Sequence, residues 1–234
     1  MSALLENLAV IVPVGPNEKC WGTLLTDLVS LPSGAEVILV GVSDVPKELN
    51  LSRDFGPKVR WIKGEKGRGK QMNAGANATQ KRYLWFLHAD TRVREANIAD
   101  LSSRVTDTDD ALDYFNLGFL PDGPFLTLLN TWGTWFRTHL LQLPFGDQGF
   151  VIKRELFDKL GAFEENARYG EDHLFVWKVR HAGVALRCFE SQLFTSARNY
   201  RDNGWGKTTI RHVLLTLRQA VPQYWKIIRQ LRVP

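Results

Sequence analysis

The sequence predicts an α/β fold: a mostly parallel central sheet flanked by helices, followed by a basic amphipathic helical tail. Three observations carry that expectation. Short runs such as LAVIVPV and EVILV are apolar at consecutive positions, as strands buried on both faces are. Segments with apolar residues at helical spacing separate them, the layout of a parallel sheet with crossover helices. Polar or glycine-rich clusters follow the strands, where such sheets form their ligand crevice. With 234 residues, 44% of them hydrophobic, the chain can build one large core.

In chain order, LAVIVPV (8–14) is the first strand, ending around Pro13 and Gly15. EKCWGTLLTDLVSL (18–31) has helical spacing and stops before Pro32 and Gly34. AEVILVGV (35–42) and KVRWIK (58–63) are the second and third strands, a helix is expected from Gly69 to Thr79, and YLWFLHAD (83–90) is the fourth strand. A polar helix follows Arg94 and runs to Arg104.

The stretch from 116 to 146 is aromatic-rich and carries little charge, and an apolar helix of this kind is expected in the core. A lipid-facing surface or an apolar acceptor pocket are its other readings. FGDQGFVIKRELFDKLGAF (145–163) resumes a strand-and-helix pattern, and YGEDHLFVWKVRHAG (169–183) opens a helix with two carboxylates in its first turn. Near the end, Ile210, Val213, Leu214, Leu217 and Val221 form an apolar stripe. It is expected to pack on the domain, with an anionic membrane surface as the alternative. Pro222 is expected to interrupt this helix, which restarts in YWKIIRQL. The division that follows is 1–205 for the domain and 206–234 for the tail.

Composition narrows the function. No apolar run has the length of a membrane span, and the N-terminus, with Glu6 and Pro13 early, does not read as a secretory signal. Two cysteines, Cys20 and Cys188, have no metal spacing, and a reducing cytoplasm is the expected compartment. The net charge is +5, yet from Arg198 onward eight Lys or Arg face only Asp202, which leaves −2 on the rest. That basic end suits an anionic partner or membrane surface. No nucleic-acid recognition module accompanies it, so nucleic acid is not an expected partner.

GEKGRGKQMNAGA (64–76) nearly fits the phosphate loop of nucleotide triphosphatases, but Gln71 stands where a Ser or Thr hydroxyl must reach magnesium. A nucleotide-diphosphate sugar asks less of this loop. Its diphosphate can be neutralised by a divalent cation, Mg²⁺ or Mn²⁺, on one strand-end carboxylate. Asp90 is placed for that role, and His88, two residues earlier on an extended chain, shares its face as a ribose, diphosphate or metal contact.

Five stretches in this order, VPVGPNE, GRGKQMNAGA, LHAD, FGDQGFVIKRELFDKLGAF and EDHLFVWKVRHAG, resemble inverting family 2 glycosyltransferases. The likeness is closest to a bacterial subgroup with GRxxQMNAGA and FLHADT motifs, and it runs from Leu8 to about Arg211. It implies a single GT-A domain that binds a nucleotide-diphosphate sugar and transfers the sugar to an acceptor hydroxyl, with Mg²⁺ or Mn²⁺; a UDP- or GDP-sugar is the expected donor, and a lipid-linked acceptor would suit a tail resting on a membrane. It also implies that Pro13, Asn17, Glu18, Asp44, Arg68, Lys70, Asn73, His88, Ala89 and Asp90 line the nucleotide-sugar pocket, with Asp90 and His88 at the metal. Asp147 and Gln148 would shape the donor-sugar and acceptor site, and Glu171 and Asp172 would supply the catalytic base, Asp172 foremost. In the basic tail, Arg198, Arg201 and Lys207 sit in a glycine-containing segment suited to closing over a diphosphate. Two positions depart from the family pattern: Gly41 replaces a strand-end Asp, and His88 replaces the first Asp of Asp-x-Asp. They keep a catalytically degenerate nucleotide-sugar-binding scaffold as the alternative, with a phosphate-loop NTPase behind it.

Overall fold

The computed structural model describes residues 3–49, 56–104 and 110–231. After a short helix α1 (Ala3–Glu6), the chain builds β1 (Leu8–Val14), α2 (Trp21–Asp27), β2 (Glu36–Gly41), β3 (Lys58–Lys63), α3 (Arg68–Asn77) and β4 (Tyr83–Phe86). The second half adds α4 (Glu95–Arg104), β5 (Ala111–Phe119), α5 (Thr127–His139), β6 (Phe150–Lys153), α6 (Arg154–Lys159), α7 (Glu171–His181), β7 (Ala185–Thr195), α8 (Arg198–Asn203) and α9 (Trp205–Leu231). Seven strands form one sheet in the order β3-β2-β1-β4-β6-β5-β7. All neighbours are parallel except β6, which runs antiparallel to both β4 and β5. The expected α/β class with a mostly parallel sheet is therefore the observed one.

Strand periodicity divides the core. Val10, Val12 and Val14 of β1 point into a cluster with Trp21, Leu24 and Leu25 of α2 and Leu28 just after it, whereas Ala9 and Ile11 point into another with Met72 of α3 and Phe175 of α7. The second cluster is knit by a chain of aromatic contacts through Phe86, Phe157, Phe163 and Phe175. Each such side chain contributes about 1.5–3 kcal/mol by leaving water. Gly75 lets α3 lie on the sheet, since a Cβ there would collide with Ile11.

Several expectations change. β4 ends at Phe86, and Thr91 N donates to His88 O at 3.1 Å, so His88 and Asp90 sit in a turn and not on one strand face. The paired strands β5 and β7 were not foreseen; a bulge between Tyr114 and Asn116 interrupts their ladder, and Asp113 is buried there against Arg187. The aromatic segment expected in the core forms α5 with its apolar side outward: Phe125 just before it is 82% exposed and Trp132 is 74% exposed. Its threonines face inward instead, with Thr127 and Thr138 buried.

The stripe on α9, from Ile210 to Val221, is also exposed rather than packed on the domain. Pro222 does not break α9. Its missing N–H and ring lie on the exposed side, while Gln219, Gln223 and Tyr224 hold the helix to its neighbours through His173, His181 and Leu141. Tertiary contacts on both sides of the proline thus offset the lost helical bond. The segment expected as a closing loop at 198–203 is helix α8. Among the described residues, no helix is long and apolar enough to cross a membrane. α9 begins at Trp205, and residues 232–234 of the tail lie outside the described residues.

Candidate active site

The carboxyl ends of β1 and β4, the start of α3, the turn before β6 and the start of α7 meet at one edge of the sheet. Gln71 of α3 holds two strand ends together, donating to Val14 O at 2.9 Å and Val40 O at 2.5 Å. It fills with an amide the position where a triphosphatase needs a hydroxyl, and its bonds are structural. Asn73 is likewise occupied: its amide bonds Phe163 O, Phe163 N and Glu165, fixing the loop ahead of α7.

Gly146, in the 3-10 turn Gly146–Gln148, lies between His88 and Asp172. A Cβ on it would stand 2.9 Å from Asp172 Oδ2 and 3.3 Å from His88 Nε2, so only glycine lets those groups share the space. Its N–H donates to Asp172 Oδ2 at 2.7 Å, and His173 N donates to Oδ1 at 2.8 Å. Burial alone would raise the Asp172 carboxyl, but Arg68 and these two N–H groups outweigh it and hold the group below the usual range. Arg68 reaches across from α3, pairing with Glu171 and lying 3.3 Å from His88 Nε2. Burial and that guanidinium push His88 down to about 3, so the imidazole is neutral and accepts from Arg68.

Asp90 stands at the other end of the cleft. Arg198 bridges it, at 3.5 Å, to Glu18 after β1, and Thr195 Oγ1 donates to Asp90 at 3.4 Å. Burial raises the Asp90 carboxyl, partly countered by Arg198. Between the two ends sits Asp147, whose Oδ1 is buried with no hydrogen-bond partner. Burial, reinforced by the charges of Asp172 and Asp90, raises it to about 6 against the pull of Arg137 and Arg68. Arg137 of α5 is itself lowered to about 10 by burial, stacks on Phe145 and bonds Gln148. Asp147 therefore feels the charges of both Asp172 and Asp90.

The remaining expected positions divide clearly. Pro13 and Ala89 are buried beside the cleft, and Asn17 is exposed in the loop after β1 in a left-handed conformation with φ of 62°. Gln148 is a structural hub, donating to Phe115 O and accepting from Phe145 N and Thr138. Lys70 pairs with Glu65 at 2.5 Å and Asp44 with Lys63 at 2.9 Å, both toward solvent. Arg201 pairs with Asp202, and Lys207 is exposed on α9, so of the three expected diphosphate cations only Arg198 enters the cleft. Sequence reading missed Arg137, Thr195 and His173. Each is brought here by elements whose packing the sequence does not announce, and only the adjacency of His173 to Asp172 was a signal.

Among the described residues no group of three His, Cys, Asp or Glu gathers as a metal cage. The donor set suits a cation that takes one carboxylate, that of Asp90, and completes its shell with phosphate oxygens and water. His88 is a poor ligand in this arrangement because Arg68 faces its Nε2. A recess of about 350 Å³ lined by Leu174, Trp177, His181 and Gln223 lies elsewhere, and none of the three aspartates lines it.

Known proteins bear on the architecture. No family model matches the chain, and no curated protein matches it. Among solved structures it is similar to Staphylococcus aureus TarS residues 1–349, with 18% identity, a TM-score of 0.62, and coverage of 81% of this chain and 60% of that one. It is also similar to the mannosyltransferase PcManGT from Pyrobaculum calidifontis in complex with GDP-Man and Mn²⁺, with 16% identity, a TM-score of 0.64, and coverage of 95% and 64%. The chain has a GT-A-like fold. TarS 1–349 in complex with UDP-GlcNAc is matched at 17% identity and a TM-score of 0.62, over 81% of this chain and 58% of that one. The chain thus spans about three-fifths of the length of these structures.

Proposed function

We propose that the protein is an inverting glycosyltransferase of the family 2 type, moving a sugar from a nucleotide-diphosphate sugar to an acceptor hydroxyl. One observation carries the reading: Asp90, Asp147 and Asp172, from three separate parts of the chain, converge with Arg68 and Arg198 beyond the carboxyl ends of the parallel strands. Transfer with inversion needs a base on one side of the anomeric carbon and positive charge on the other. In this reading Asp172 would act at one end of such a path and Asp90 at the other. Arg198 would leave its pairing with Glu18 to take the diphosphate, and Arg68 would hold the catalytic carboxylates in place.

In the step itself, the acceptor oxygen bonds to the anomeric carbon as the bond to the diphosphate oxygen breaks, and the acceptor proton passes to a carboxylate. Mg²⁺ or Mn²⁺ held by Asp90 would supply charge to the leaving diphosphate. The neighbours in complex with UDP-GlcNAc and GDP-Man make UDP- and GDP-sugars the first donors to try.

Asp172 is the first choice of base, from the family resemblance and from its place at the start of α7. A second reading gives the proton to Asp147, because Asp172 already accepts two N–H bonds whereas Asp147 has an unpartnered oxygen and a value near neutrality. The test measures donor binding and turnover separately. A UDP- or GDP-sugar should raise the melting temperature, more so with Mn²⁺, and Asp172→Asn should retain that rise while losing about 10²–10⁴-fold in donor turnover. If only Asp147→Asn loses turnover, the base is Asp147. Donor binding with no turnover by the wild type under any acceptor mixture would favour the scaffold, and a rise with ATP alone would favour the NTPase.

A further inference from the structure

Fifteen of the seventeen exposed large apolar side chains among the described residues belong to two places, residues 125–141 and α9. On α5 they form one row, with Phe125, Leu128, Leu129, Trp132 and Phe136 at spacings that return to the same side of a helix. The inner side of that helix is the polar one, reversing the usual arrangement of a surface helix in water. On α9 the row runs from Ile210, which is 61% exposed, through Leu214 and Leu217 to Trp225.

The two helices are tied to each other near both ends. Asn130 of α5 meets Trp205 and Thr209 at the start of α9, and Leu141, just past α5, accepts from the Tyr224 hydroxyl at 3.0 Å. Their rows therefore lie on one region of the surface. Scattered apolar residues are ordinary, but a continuous patch of this kind marks a contact with another body.

Charge decides which body. α9 carries Lys207, Arg211, Arg218, Lys226 and Arg229 with no acidic residue, and α5 has none either. At about 100° per residue, Arg211, Arg218 and Arg229 fall on one border of the apolar row of α9. Two adjoining apolar rows that carry Trp132, Trp135 and Trp225, with cations along the border of the α9 row, are complementary to a bilayer with anionic headgroups. A protein partner of matching shape would leave the tryptophans and the cationic border without a common reason.

The inner sides of the same helices touch the candidate site. Arg137 and Thr138 of α5 bond Gln148 beside Asp147. Gln219 of α9 bonds His173 and Tyr169 O, next to Gly170, whose φ of 64° starts α7 and its Glu171-Asp172 pair. We propose that α5 and α9 dock the protein on an anionic lipid bilayer, so that the transfer reaction draws its acceptor from the membrane surface. The acceptor class, an oxygen carried on a lipid, rests on the glycosyltransferase reading. The docking does not.

The test uses the full chain and sedimented vesicles of phosphatidylcholine alone or with about 30% phosphatidylglycerol, whose negative surface attracts cations near it. Binding should need the anionic lipid and weaken in 0.5 M salt. Arg211→Glu with Arg218→Glu should reduce it at least about tenfold. Trp132→Glu should reduce it comparably, and both variants should keep the wild-type circular dichroism. Equal binding to neutral vesicles, or no binding at all, overturns the proposal. So does a lipid-free dimer in sedimentation velocity that these substitutions dissociate, since the patch then covers a second copy. The melting shift given by a nucleotide sugar, read without vesicles, reports separately on the enzymatic reading, and the docking variants should leave it unchanged.

Discussion

Helices α5 and α7 both border the candidate site and both are rich in aromatic residues, yet the protein uses them in opposite ways. In α7 the large side chains Phe175 and Trp177 are fully buried, and the polar residues Glu171 and Asp172 are gathered at the end that faces the cleft. In α5 the large side chains face outward, and the polar Thr138 and Arg137 support the cleft from within. The difference lies in what covers each helix. α7 is held between the sheet and α9, with Trp177 stacked edge-on against Tyr224 at 4.8 Å. α5 rests by its polar side on β5, the 146–148 turn and the start of α9, and its apolar side is exposed. Hydrophobic composition by itself thus does not bury a helix; the surrounding elements decide whether its apolar side is covered.

The contrast can be broken most directly by truncating one tryptophan in each helix. Trp177→Ala should cost about 3–5 kcal/mol in urea unfolding, through lost packing and the 3.0 Å bond from its indole to His173 Nε2. Trp132→Ala should change stability by about 0.5 kcal/mol or less in the same assay. Comparable losses would mean that α5 is packed as α7 is.

The next effect concerns the carboxylate between the two helices. Asp147 has its native value raised from 3.8 to about 6, so the folded protein favours its protonated form. Its stabilising contribution is complete below about pH 4 and is lost as pH rises through about 6, on the order of 2–3 kcal/mol in all. Urea unfolding at pH 4.5 and 7.5 should show wild type losing stability relative to Asp147→Asn across that interval. A difference that does not move with pH would remove Asp147 Oδ1 from the buried, unpartnered state described above.

Two smaller losses sharpen the role of the inward polar groups. Gln71→Ala leaves Val14 O and Val40 O without their shared donor and should cost about 1–3 kcal/mol while weakening donor binding. Thr138→Val removes one hydroxyl from Gln148 and should cost about 1 kcal/mol, read by the same unfolding assay. If Thr138→Val stabilised the protein, the polar inner side of α5 would have no structural purpose.

Much of the first half of the fold could be read directly, because β1 and β2 announce themselves as apolar runs, β3 mixes apolar and charged residues as the end strand of the sheet, and α3 follows its glycines. The candidate site was readable where chemistry and position coincide, as at Asp90, Arg68, Asp147 and Asp172. It was less readable where a residue's bonds run to distant backbone: Asn73 and Gln148 looked like ligand contacts and are structural hubs. The pairing of β5 with β7 joins segments about 75 residues apart, and local pattern gives little sign of such a contact.

By itself the sequence determined the α/β class, the strand ends where polar residues collect and the basic tail, since these follow from local periodicity and composition. Only the tertiary structure decided that His88 turns to Arg68 while Asp90 turns to Arg198, that α9 runs through Pro222, and that the apolar sides of α5 and α9 face outward. The physical reason is common to all three. Each outcome depends on which distant groups meet a residue and cover or pair it, and that is a property of the packed molecule.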